Sequence, residues 1–229
     1  MTVAFGAYND NSATFNSTFS VNIAVGTRGV LVLISASSST GTVTGVTVGG
    51  VACTQSPSSP RTTASGELAS WKLSAWLLGA SVPTGAQNVV VSGTSMNGNV
   101  LVGVFRLTGS ADIEFVDDDA TIVSNSMANP SVTLALGGRT SFCALVWLSG
   151  HDAVTSATQL TSWTARNETD VGTLIGGFYS YDTVASADVT AGWTQTAEDA
   201  LMVAVAVSEV VAAGGLAIPV AQHHRMRNF

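Results

Sequence analysis

Charged residues are scarce in this chain of 229 residues. They make up 10% of the sequence, against about 25% in an ordinary soluble domain, and lysine occurs once, at Lys72. Eight basic and fifteen acidic residues give a net charge of −7. A broad nucleic-acid-binding surface gains affinity by neutralising phosphates with basic side chains, so we expect no nucleic-acid partner. The hydrophobic content of 46% equally argues against an intrinsically disordered chain.

Cysteine is almost as rare. Cys53 and Cys143 are too few for a disulfide framework in a chain of this length. Each lies in an apolar run, where a free thiol behaves as a small buried hydrophobe. The first residues show neither the basic nor the apolar segment of a secretory signal peptide. We therefore expect a chain that stays in the cytoplasm in which it is made.

Catalytic and metal-binding motifs are also lacking. Residues 149–152 contain a serine, His151 and an aspartate, but adjacent residues cannot take up the geometry of a catalytic triad. The Gly-x-Ser-x-Gly motif of hydrolases is missing, and His223 and His224 have no further ligand nearby. The acidic residues between 112 and 119 do not follow the EF-hand pattern, and we expect them to form a solvated face of the segment that connects the two halves. A calcium site there stays an alternative. The sequence predicts no enzyme, no metal and no cofactor.

The chain does contain clear β-strand patterns. Residues 19–25 alternate between apolar and polar, which is typical of a strand with one buried face. Residues 201–207 form a continuous apolar run that suits a strand buried on both faces. Gly49 and Gly50, between two such runs, predict a two-residue hairpin. Helix signals are nearly absent; residues 196–206 begin like a helix but alternate like a strand, which we favour.

The chain also repeats itself. Residues 20–28 match residues 131–139, and residues 100–107 match residues 201–208. We therefore predict an all-β fold: an antiparallel, jelly-roll-like β-sandwich in residues 1–210, built from two similar halves of about six strands each. The predicted pseudo-repeats are 14–109 and 126–210. One continuous sandwich is preferred, with two small domains as the alternative.

Residues 211–229 differ from the rest in charge. They carry two basic residues and no acidic ones, whereas residues 1–210 carry six basic and fifteen acidic residues. A glycine pair and Pro219 interrupt any strand ladder, because proline lacks the backbone N–H. We predict an extended arm that docks on another subunit. Its candidate partner-binding residues are Leu216, Ile218, Val220, Arg225, Met226, Arg227 and Phe229.

A membrane anchor is the competing interpretation of residues 201–221. A spanning helix needs about 20 predominantly apolar residues. Glu209, the glycine pair and Pro219 interrupt this stretch, so we expect no membrane partner.

Two of the five tryptophans suggest a second kind of function. Trp76 and Trp147 lie in apolar runs and are predicted to be core residues. Trp163 and Trp193 are flanked by threonine and glycine, and we predict them at the surface. Paired exposed rings there would stack on a sugar, which is the basis of the alternative hypothesis of a carbohydrate-binding module.

Several turn-and-strand phrases occur in a fixed order: GVTVGGV at 45–51, SAWLL at 74–78, PTGAQNVVV at 83–91, and a closing strand at 202–207. In this order they resemble a loosely defined class of β-sandwich domains in tailed-bacteriophage structural proteins and bacterial surface proteins. The resemblance covers most of residues 14–210 and carries over no catalytic residue.

The resemblance implies a component of a virion or of a bacterial surface. Together with the low charge and the missing secretion signal, it leads us to expect a non-enzymatic structural protein of a bacteriophage virion, assembled in the host cytoplasm. Capsid decoration, a cement protein and a component of a head or tail fibre are the expected positions. It also implies a homo-oligomer whose partners are copies of itself and other virion proteins. A receptor-contacting carbohydrate-binding module is the alternative function.

Overall fold

The computed structural model describes residues 3–14, 18–37, 41–62, 66–94, 99–150, 158–171 and 174–211. Within these ranges the chain forms seventeen β-strands and one short 3-10 helix, Glu67–Ser70, with no α-helix. The prediction of an all-β fold is therefore confirmed.

Nine strands lie in the first half of the chain: β1 (Ala4–Thr14), β2 (Thr18–Ile23), β3 (Thr27–Ser37), β4 (Thr42–Val48), β5 (Val51–Ala52), β6 (Thr54–Gln55), β7 (Trp71–Leu78), β8 (Gly85–Thr94) and β9 (Asn99–Thr108). Eight lie in the second half: β10 (Ile113–Met127), β11 (Ser131–Leu134), β12 (Ser141–Gly150), β13 (Thr158–Gln159), β14 (Trp163–Val171), β15 (Leu174–Ala185), β16 (Val189–Thr194) and β17 (Glu198–Glu209).

The strands form four antiparallel sheets. Sheet A has the order β1-β9-β3-β7-β6 and sheet B the order β2-β8-β4-β5. Sheet C has the order β10-β17-β12-β15-β14 and sheet D the order β11-β16-β13. In the described part of the chain, no strand of residues 4–108 pairs with a strand of residues 113–209. The sheets pack as β-sandwiches, as predicted. The stack contains four sheets, whereas a single sandwich has two.

Sheets A and C have corresponding strand orders and a corresponding irregularity. The β1–β9 register shifts between Phe5 and Ala7, beside Leu107. The β10–β17 register shifts between Phe115 and Asp117, at the matching place in the ladder. The predicted origin of the two halves by repetition stays a prediction, as does the division into domains.

Three apolar cores bind the sheets into a stack with the layer order B, A, C, D. An outer core lies between sheets A and B, a central core between sheets A and C, and a second outer core between sheets C and D. Strand β3 therefore sends Leu31 and Leu33 into the central core and Val30 and Val32 into the first outer core. Double-sided burial explains why the central strands β3, β12 and β17 contain continuous apolar runs rather than alternating patterns.

Local predictions agree with this architecture. Gly49 and Gly50 join β4 to β5 with φ angles of 58° and 80°, the left-handed values that a type I′ hairpin requires. Residues 198–209 form strand β17, so the strand interpretation of that region was right. Within the described ranges, no helix has the length and apolar character needed to cross a bilayer.

Candidate functional site

The chain crosses between its halves and leaves the stack at the same end, which we call the basal end. Sheet A finishes there with the pair Thr27–Thr108, and sheet C with the pair Ile113–Glu209. Residues 109–112 connect the two sheets, and the Ile113 N–H donates to the carbonyl of Gly79 at 2.7 Å. Residues after β17 therefore begin beside the connection between the halves.

Glu209 fixes the end of β17 to that connection. Its carboxylate accepts hydrogen bonds from the backbone N–H and, at 3.1 Å, from the hydroxyl of Ser110. The Ser110 N–H is the main reason that the pKa of Glu209 is held below its usual value, although burial opposes the shift. One residue on, the Val210 N–H donates to the carbonyl of Asp112 at 2.8 Å.

Arg139 holds the same strand end from the other side. Its Nη2 donates to the carbonyl of Glu209 at 2.6 Å and to Oε1 of Glu114 at 2.7 Å. Charge-assisted hydrogen bonds of this kind are stronger than neutral ones. The end of β17 is therefore fixed on two sides. We call Ser110, Asp112, Glu114, Arg139 and Glu209 the junction.

Two glycines allow this close approach. A Cβ at Gly79 would lie 1.8 Å from the carbonyl oxygen of Ile113, a backbone atom that cannot move independently. A Cβ at Gly109 would lie 2.6 Å from Oε1 of Glu209. Any side chain at Gly79 would force the two halves apart at the basal end.

One of the acidic residues 117–119, Asp118, also holds the halves together. We expected these acidic residues in a connecting segment as a solvated face, and that was wrong, because they belong to edge strand β10. Asp118 accepts hydrogen bonds from the Ser56 hydroxyl at 2.7 Å and from the Ser58 N–H, both from the first half. Asp117 accepts the Ala135 N–H at 2.6 Å. In the described ranges no three His, Cys, Asp or Glu side chains are grouped to hold a metal ion.

A second polar seam joins the halves along the opposite edge. The guanidinium of Arg166 lies 4.2 Å from the ring centroid of Phe5 in β1, and its Nε donates to the Ser180 hydroxyl at 2.8 Å. The Asn167 amide donates to the carboxylate of Asp10. Cation–π contacts of this kind favour a fixed relative position of the two groups. Both long edges of the central core are thus closed by contacts between the halves.

No protein-family model, curated protein or solved structure matches this chain. The resemblance to phage β-sandwich domains therefore depends on the turn-and-strand phrases of the sequence alone. Evidence about function comes instead from the geometry of the stack.

The prediction that Trp163 and Trp193 are exposed was wrong. Trp163 is 5% exposed and Trp193 is fully buried in the core between sheets C and D. The Trp163 indole N–H donates to the carbonyl of Thr190 at 3.0 Å, and the Trp193 ring lies 4.9 Å from that of Trp147. Their threonine and glycine neighbours face the other side of the same strands, so local polarity did not report burial. These two rings offer no platform for a sugar.

The cysteines are unpaired, as expected. Cys143 is buried in the core between sheets C and D. Burial raises the pKa of each thiol, Cys53 and Cys143, to about 12. A thiol is nucleophilic as its thiolate, so both groups are held in their unreactive form near neutral pH.

The predicted arm residues lie outside the described residues, as does His151. The structure does describe where the arm begins, at Val210 and Val211, which are 41% and 69% exposed. Sequence reasoning missed the junction. Glu209 offered a signal, because it is the one carboxylate in the apolar stretch 201–211 and a carboxylate needs hydrogen-bond donors when it is buried.

Proposed function

We propose that this chain is a non-enzymatic structural protein of a bacteriophage virion, as capsid decoration, cement protein or part of a head or tail fibre. The observation that supports this proposal best is that the end of β17, from which the C-terminal segment continues, is fixed by hydrogen bonds to the connection between the halves. A particle component needs a body of fixed shape and a fixed point from which it reaches its neighbours. The junction supplies the second requirement.

The central core supplies the body of fixed shape. Phe105 from sheet A and Phe142 and Phe178 from sheet C are at most 1% exposed. Phe105 and Phe142 contact each other at 5.8 Å between ring centroids. A densely packed core of this kind has low compressibility, so the two halves behave as one body. Jelly-roll and related sandwiches are a common architecture of viral capsid domains.

The arm supplies the contact with partners. Ordering its residues on a surface costs roughly 1–2 kcal/mol of backbone entropy per residue. Burying an aliphatic side chain returns about 1.5–3 kcal/mol, so Leu216, Ile218 and Val220 offset part of that cost. Burial of Met226 and Phe229 must offset the rest. Arg225 and Arg227 would meet the acidic bodies of other copies or of other virion proteins. The proposed location is accordingly the virion, assembled in the host cytoplasm.

A carbohydrate-binding function has no supporting observation in the described residues, since both candidate tryptophans are buried. We therefore propose no second function.

Mass spectrometry of purified particles tests the proposal directly. The intact protein should be recovered with particles, and a version that ends at Val211 should stay folded but be lost from them. Replacing Leu216, Ile218 and Val220 with alanine should have the same effect. The matched control replaces the polar arm residues Gln222 and Asn228 with alanine and should leave recovery unchanged. Absence of the intact protein from particles would refute the proposal.

A further inference from the structure

Exposed apolar side chains are unevenly distributed over this protein. Among the residues whose side chains the structure describes, which leaves out, among others, residues 121–127 and 170–171, four large hydrophobic side chains are exposed: Val25 at 91%, Val184 at 37%, Val210 at 41% and Val211 at 69%. Single exposed hydrophobic residues are normal on soluble proteins. Their positions relative to one another are what matters here.

The strand registers place all four valines at the basal end. Val25 lies in the turn before β3, two residues from the pair that ends sheet A at Thr108. Val184 lies one residue before the end of β15, where that strand meets the first residue of β12. Val210 and Val211 directly follow β17. Neighbouring strands lie about 4.8 Å apart and packed sheets about 10 Å apart, so these four positions share one small end face.

We infer that this valine face is the docking site for the apolar arm segment, residues 216–220, of a second copy of the same chain. The inference rests on the proposed structural function and names its partner. No described part of the chain covers the four valines, and we assign the group that covers them to another molecule. Surface and arm belong to the same chain, so two or more copies exchange arms in a closed, symmetric assembly.

The length and position of the arm fit this arrangement. Eighteen residues follow Val211, and an extended chain of that length reaches at most about 60 Å. The arm starts on the valine face itself. It therefore reaches the same face of a neighbouring copy whose basal end is turned towards it.

The charges at the basal end fit as well. Asp112, in the connection between the halves, and Asp188, in the turn before β16, are both exposed. Arg28, at the start of β3, is an exposed basic residue at the same end, so the acidic side chains are in the majority among these three. The arm carries Arg225 and Arg227 and no acidic residue. Opposite charges of this kind fix the register of an interface and raise its rate of formation more than they add affinity.

Four valines alone are too small an interface. A stable association buries roughly 800 Å² on each partner, so the arm must contribute the larger share. This requirement makes the inference testable from either side, at the valine face or in the arm.

The test measures the mass of the purified full-length protein by light scattering across a range of concentrations. We expect an oligomer, with Val25→Asp and Ile218→Asp each weakening association by about tenfold or more. Ser92→Asp is the matched control, because Ser92 is exposed on β8 towards the opposite end of the stack. It should leave the mass unchanged. At protein concentrations at which the wild type is itself dissociated, the urea unfolding midpoints of all variants should equal that of the wild type, since Val25 is 91% exposed and makes little contact within its own chain.

Mixing the two weakened variants separates reciprocal exchange from other contacts. The Val25→Asp variant has an unaltered arm and the Ile218→Asp variant has an unaltered valine face. The arm of the first can therefore bind the face of the second, and the mixture should associate at concentrations at which neither variant does alone. A monomeric wild type at every concentration overturns the inference, as does an oligomer that neither variant weakens. Recovery of that monomeric protein from particles would leave the virion proposal standing with a different arm partner, so the two failures are distinguishable.

Discussion

The packing of sheet A on sheet C can be tested at one contact, Gly103 of β9 against Phe178 of β15. A Cβ at Gly103 would lie 2.9 Å and 3.0 Å from carbons of the Phe178 ring, whereas an ordinary contact begins at 3.4 Å. Overpacking a dense core in this way costs about 1–3 kcal/mol. We expect Gly103→Ala to lower the free energy of unfolding by that amount.

The matching substitution Phe178→Leu removes the ring that the new methyl group would meet. Alone it should cost about 1–2 kcal/mol, a usual value for a core substitution. Together, the two changes should cost at least about 1 kcal/mol less than the sum of the single changes, because the smaller side chain makes room for the methyl group. Gly45→Ala is the control, since a Cβ there meets nothing within 4 Å.

Urea unfolding, followed by the fluorescence of the buried tryptophans Trp147 and Trp193, gives the free energies. If the double variant is additive within about 0.5 kcal/mol, Gly103 and Phe178 are not in contact. The face-to-face packing of the two central sheets would then be refuted.

Three further predictions concern the junction, the contact between the halves at Asp118, and the thiols. The lowered pKa of Glu209 means that its ionised form stabilises the fold above its unfolded pKa and that this contribution is lost as the pH falls. Glu209→Gln should therefore be less stable than the wild type at pH 7, and urea midpoints should show the difference narrowing below about pH 4. Asp118→Asn should cost about 1–3 kcal/mol in urea unfolding, because Ser58 and Ser56 lose a charged acceptor; a change below about 0.5 kcal/mol, the size of an ordinary surface substitution, would contradict it. A thiol reagent at pH 8 should label Cys53 and Cys143 much more slowly than it does in denaturant, and rapid labelling of the native protein would show that these thiols are not held protonated.

The sequence was informative wherever burial is double-sided. Residues 30–34 and 201–207 are continuous apolar runs because sheets A and C each face two cores. Such runs predict strands without reference to any distant residue. The sequence signal for the hairpin at Gly49 and Gly50 was equally local, since two consecutive left-handed φ angles favour glycine.

Strand β10 was missed because its charges resemble those of a loop. An edge strand pairs on one side only, so it tolerates Asp117, Asp118 and Asp119 where a central strand would not. Asp118 is satisfied by serines more than 50 residues away in sequence, and no local pattern predicts that partner. The predicted repeats, 14–109 and 126–210, accordingly begin at the last residue of β1 and near the end of β10.

The prediction that Trp163 and Trp193 are exposed failed for a related reason. Trp163 and Trp193 have polar neighbours along the chain, but their own side chains point into the core between sheets C and D. Whether a strand has one buried face or two depends on which sheets pack together. That property is non-local, so a surface assignment from flanking residues was unreliable here.

The position of β17 has a mechanical consequence for the proposed docking of the arm. β17 lies between β10 and β12, so the arm continues from an interior strand rather than from an edge. A force along the arm is therefore carried as shear by two hydrogen-bonded ladders at once, and the ladder bonds must rupture together rather than peel apart in sequence. With Arg139 and Ser110 clamping the point of entry, a pull on the arm loads the whole second half before it can extract the strand.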